Sequence, residues 1–112
     1  MGHCVFSDGL EAEFDAELLI LRGDLTGVSG HELLSWLQTL PAIPSLDLAE
    51  LDIEDGVAAT EAVNAVRLLC SRVTRLRIIA SPQVLAHNLY RTGMLATGTI
   101  ELVDMREDEA FG

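Results

Sequence analysis

The chain has 112 residues, with seven Arg and no Lys set against eighteen Asp and Glu, for a formal charge of -11. A field of that sign repels phosphate backbones and anionic headgroups, so neither nucleic acid nor direct contact with a membrane surface is expected. At 49% hydrophobic and 22% charged the composition is that of a globular domain, and with aromatics at 4% the core must come from Leu, Ile, Val and Ala.

Residues 1–8 show no period and are expected to be loose. In GLEAEFDAE (9–17), Leu10, Ala12, Phe14 and Ala16 alternate with acids, the period-two pattern of a half-exposed edge strand. The continuous apolar run Leu18 to Leu21 closes in Gly23-Asp24 and reads as a buried strand that pairs with the first as a hairpin. Ser29-Gly30-His31-Glu32 has the S-x-x-E spacing of a capping box, which predicts a helix from Ser29 through Leu33, Trp36, Leu37 and Leu40, stopped by Pro41. SLDLAELDI (45–53) alternates as a third strand, with a slip at Ala49.

From Asp55, the predicted N-cap, to Val73 the apolar positions Ala59, Ala62, Val63, Val66, Leu69, Cys70 and Val73 hold a 3.6-residue period. Thr60, Glu61, Asn64, Arg67 and Ser71 make up the opposite, polar face. RLRIIA (75–80) reads as a strand. Ser81 and Pro82 then serve as N-cap and first residue of a short helix through Leu85 and Leu89, ended by Gly93. TIELV (99–103) is the last strand, and the acidic tail that follows is expected to be loose over 106–112. The order β β α β α β α β predicts an α/β fold: a single-layer mixed, mainly parallel sheet flanked by helices, with the whole chain as one domain.

Chemistry is sparse in this pattern. His3, His31 and His87 fall on separate elements without metal-ligand spacing, and no nucleophile has a base in register with it. The acids Asp47, Glu50, Asp52, Glu54 and Asp55 are explained by strand alternation and by capping, and GDLTGVSG lacks the lysine of a phosphate-binding loop. Neither a catalytic group, a metal nor a cofactor is expected. Cys4 and Cys70 form no disulfide framework, Cys70 being read as buried and inert, and no leader or spanning segment is legible. A cytoplasmic protein is expected.

The stretch from Leu46 to Leu95 resembles the central part of the STAS domain, the family of anti-sigma factor antagonists and related modules. Arg22-Gly23-Asp24-Leu25 is similar to the family's strand ending Gly-(Glu/Asp)-Leu, Asp47-Leu48 to its Asp-Leu strand, and Thr92-Gly93-Met94-Leu95 to its Thr-Gly-Leu element. Asp55 matches the first residue of its Asp-Ser-Ser-Gly junction, whose second serine is phosphorylated in switched members. Gly56, Val57 and Ala58 stand there instead, so that hydroxyl is absent, and Thr60 is the nearest candidate phosphosite.

The resemblance implies a regulatory module that binds another protein and performs no catalysis. Its expected docking surface is Asp24, Leu25, Asp55, Gly56, Val57, Thr60, Glu61, Asn64, Ser81 and Pro82. The implied partners are an anti-sigma factor or switch kinase, or further STAS chains, with a homodimer left open. Two alternatives stay open: a soluble STAS subunit of an ABC-type lipid or anion transporter, and a nucleotide-binding STAS domain.

Overall fold

A strand precedes the predicted hairpin. In the computed structural model, which describes residues 2–104, Gly2–Val5 form β1 and pair antiparallel with β2 (Glu11–Phe14), Cys4 opposite Ala12. Within the stretch 1–8 expected to be loose, residues 2–5 are therefore sheet, and β2 lies inside that sheet rather than at its edge. Four residues are too few for the alternation of buried and exposed positions to be read from sequence. The stretch 106–112, also expected to be loose, lies outside the described residues.

The hairpin itself forms as predicted, β2 pairing antiparallel with β3 (Leu18–Leu25). Its turn is tied by the Asp15 carboxylate, which accepts from the N–H groups of Glu17 (2.8 Å) and Leu18 (2.9 Å). Those bonds favour the charged form and hold this carboxyl below its ordinary pKa. Then follow α1 (Gly27–Leu37), β4 (Ser45–Ile53), α2 (Gly56–Cys70), β5 (Leu76–Ile79), α3 (Gln83–Arg91) and β6 (Ile100–Val103). The strands lie in sequence order across one sheet, and β3 to β6 are parallel. This is an α/β fold in the predicted order, with one strand added at the front.

The slip at Ala49 is a β-bulge. Ile20 pairs with Asp47 and Arg22 with Glu50, so β4 spends one residue more than β3 over that stretch. Asp47, only 3% exposed, accepts from the Ala49 N–H at 3.0 Å and so satisfies the extra backbone group. It is a structural residue here, not a solvated member of an acidic edge. Past the bulge the alternation resumes in phase with the core.

All three helices cover the same face of the sheet. A void of about 10 Å³ is lined by Leu33 of α1, Ala62 and Val66 of α2, Leu85 of α3 and Leu21, Leu46 and Leu48 of the strands. Right-handed crossovers stepping in one direction along a sheet require that arrangement. Val66 sits 1% exposed at the centre of this layer. Val66→Ala is expected to cost about 1–3 kcal/mol through the cavity it opens, read as a lower urea midpoint with an unchanged slope; an unchanged midpoint would contradict this helix register.

The helix ends differ from the sequence reading in detail. α1 begins at Gly27, and its capping box is Thr26 with Ser29: the Thr26 hydroxyl accepts from Ser29 N–H (3.0 Å) and the Ser29 hydroxyl from Thr26 N–H (2.9 Å). Ser29 is thus the third helical residue, not the cap. Glu32, freed from capping, accepts instead from the backbone and hydroxyl of Ser7, both at 2.8 Å. The helix ends at Leu37, before Pro41 is reached. Beyond the end of α2, Arg72 donates to the carbonyls of Leu37, Gln38 and Leu40, supplying the cation that the last turn of α1 lacks.

Asp55 caps α2 as predicted, accepting from Ala58 N–H at 2.9 Å, and Gly93 terminates α3 in the left-handed region. α3 has Pro82, not Ser81, at its cap position, and its first helical residue is Gln83. Cys70 is half-buried rather than buried, and its burial pushes the thiol pKa up, which lowers its nucleophilicity.

Candidate functional site

Parallel strands that all lead into helices place their following loops, and the helix N-termini, at one end of the sheet. The ends of β3 and β4 are tied there, Glu54 N–H donating to Leu25 O at 3.1 Å. The starts of α1 and α2 lie side by side because glycines permit it. A Cβ on Gly27 would stand 3.0 Å from Val57 Cγ1, and one on Gly30 would stand 2.6 Å from the Cβ of Glu61.

Between the two helix starts is an open depression of about 710 Å³, lined by Asp8, Asp24, Thr26, Gly27, Val28, Glu54, Asp55 and Val57. Thr26 and Asp55, the caps of the two helices, both belong to its lining. Asp8 enters from a single 3₁₀ turn, Ser7–Gly9, and accepts from the Thr26 hydroxyl at 2.7 Å. Thr26 is consequently used twice, as cap acceptor and as donor to Asp8. Val28 and Val57, one on each helix, are 60% and 63% exposed.

Of the residues expected to form the docking surface, Asp24, Asp55 and Val57 line this depression. Gly56 is exposed next to them, and Thr60, one turn on, is exposed with its hydroxyl donating to Gly56 O at 3.0 Å. Glu61 and Asn64 are half-buried and linked, Asn64 donating to Glu61 and accepting from Arg67. Ser81 and Pro82 are half-buried after β5 and do not line the depression. Leu25 departs from expectation: it points into the core, 1% exposed, because the alternation of β3 that exposes Asp24 turns the next side chain inward.

Asp8, Thr26, Gly27, Val28 and Glu54 were not expected at this site. Thr26-x-x-Ser29 was a legible cap, masked by the equally legible Ser29-x-x-Glu32. Nothing in the sequence placed Asp8, which arrives through tertiary packing of a turn with two consecutive positive-φ residues, Asp8 and Gly9.

Carboxylates and exposed apolar tips share the depression. Asp8 and Asp55 are engaged in hydrogen bonds, while the exposed side chains of Asp24 and Glu54 make none and no ion pair among the described residues. Among the described residues no three His, Cys, Asp or Glu side chains are grouped to hold a metal ion. Among the described residues the His3 imidazole pairs with Glu11, at 3.3 Å, on the β1–β2 pair. Among the described residues no helix is long and apolar enough to cross a membrane. The chain matches no protein-family model, and no curated protein matches it in sequence.

Proposed function

We propose that the protein is a small regulatory interaction module, as its resemblance to STAS domains implies, and that it docks another polypeptide at the depression between α1 and α2. The observation that carries this reading is the pair of exposed valines held at fixed positions on two capped, abutting helix starts. Rigid apolar tips ringed by polar groups are what a partner desolvates first. A standard interface takes roughly 800 Å² from each side, so Thr60, one turn on from Gly56, would fall within its rim.

The partners this reading implies are an anti-sigma factor, a switch kinase or further STAS chains, met in the cytoplasm. Two free cysteines suit that reducing compartment. Docking of this kind is constitutive, since Val57 offers no hydroxyl where switched members of the family carry serine. Val57→Asp places a carboxylate on the apolar tip at a helix start that tolerates negative charge, so folding is unaffected. Partner capture from the native cell is expected to fall at least about tenfold, a loss of about 1.4 kcal/mol in binding, with the melting temperature unchanged. If the variant captures the same partner as well as the wild type, the docking site is elsewhere.

A further inference from the structure

We infer that the surface received by this depression is a basic amphipathic segment, presenting an apolar side chain to Val28 and Val57 and lysine or arginine to Asp24 and Glu54. The inference rests on the docking reading and names the partner's chemistry. The lining contains four carboxylates and no Arg, Lys or His. Two of them, Asp8 and Asp55, accept hydrogen bonds from internal donors. Asp24 and Glu54 accept none at their side chains, and they stand at neighbouring strand ends beside the valines.

Covering the valines removes water from those two carboxylates as well. Burying an unpaired charge costs more than covering two partly exposed valines returns. A neutral apolar partner therefore leaves the balance unfavourable, and an acidic one adds repulsion. A second copy of the chain in two-fold contact would set the same carboxylates against each other, and a nucleotide would bring phosphate to them. Cations one helical turn to either side of an apolar side chain satisfy both parts of the surface, which is the geometry of a helix laid across a groove.

The absence of lysine makes a direct test practicable. Carbodiimide joins carboxylates to amines, so the full chain, with its α-amino group blocked, cannot couple to itself. The probes are a synthetic amphipathic helix of Leu and Lys and the same peptide with Glu for Lys. The Lys peptide is expected to bind with salt-sensitive affinity and to couple at Asp24 and Glu54. Asp24→Asn/Glu54→Gln, and separately Val28→Ser/Val57→Ser, should each weaken it by about tenfold or more. Glu17→Gln/Glu101→Gln, which removes equal charge at the other end of the sheet, should change it less than about twofold.

Coupling spread over the exposed carboxylates regardless of position, equal weakening by both charge variants, or comparable binding of the Glu peptide would each overturn the inference. Self-association of the wild type at this face, lost in Val28→Ser/Val57→Ser, would also overturn it in favour of a second copy. If Val57→Asp abolishes partner capture while coupling is position-independent, the docking face stands and its basic partner falls. If capture is unaffected by Val57→Asp, the docking reading itself falls.

Discussion

Gly23→Val is expected to destabilise the protein by about 3–5 kcal/mol, the sum of a strained backbone and an overpacked contact, and to lower its melting temperature by about 12–20 °C. Gly23 has φ +98, a conformation in which a β-branched residue is strained by itself. Its Cβ would also overlap the carbonyl oxygen of Gly9 and come within 3.3 Å of Leu10 Cα. That neighbour is backbone and cannot rotate away. The Ser7–Gly9 turn is clamped on its other side by Glu32 and, through Asp8, by Thr26, so making room at Gly23 means breaking those bonds.

The same displacement would carry Asp8 out of the depression proposed for docking, and partner binding should weaken with stability. Gly56→Val is the matched control. No heavy atom lies within 4 Å of a Cβ built at Gly56, which has no positive φ, and a surface change of that kind costs about 0.5 kcal/mol or less. Thermal melts of the two variants side by side decide the point. Equal melting would mean that β3 and the turn are not in the close contact described.

Much of this architecture was legible because its signals are local. Asp55 announced α2 by capping chemistry, and the register of that helix followed from its period alone. The slip at Ala49 was visible as two apolar residues out of phase, and it corresponds to the one place where β4 carries an extra residue. Where two local signals competed, the sequence could not arbitrate. Thr26-x-x-Ser29 and Ser29-x-x-Glu32 are both capping spacings, and the choice between them was made at a distance, by Asp8 claiming the Thr26 hydroxyl and Ser7 claiming Glu32.

The N-terminal strand was lost for a related reason. Gly2–Val5 has little strand preference of its own and is held through β2 and through Phe6 and Phe14, whose rings meet Trp36 edge-on at 5.4 and 5.5 Å. These aromatic contacts bind the front of the chain to α1. Together with the bonds from Ser7 to Glu32 and from Thr26 to Asp8, they fix the turn that delivers Asp8. Asp8, the lining residue of the depression that tertiary packing supplies, was therefore beyond sequence reasoning.

Leu25→Ala should cost about 2–5 kcal/mol of stability, whereas Asp24→Asn, one residue away, should leave stability within about 0.5 kcal/mol and weaken partner binding instead. The two side chains leave β3 on opposite faces. Leu25 is 1% exposed, close to Gly30 of α1 and on the wall of the central core void, so its truncation enlarges a cavity that the surrounding leucines cannot collapse into. Asp24 is exposed at the rim of the depression, and only its backbone carbonyl, which the substitution retains, accepts a bond, from the Ser29 hydroxyl at 3.2 Å.

Any loss of partner binding in Leu25→Ala should accordingly track the unfolded fraction and be recovered by a stabilising osmolyte such as sucrose. In Asp24→Asn it should persist at every osmolyte concentration. Urea midpoints measured beside partner affinity, with and without sucrose, separate the two cases. A Leu25→Ala chain that remains as stable as wild type yet loses its partner would put this residue on the surface and overturn the inward turn of β3 at its last residue.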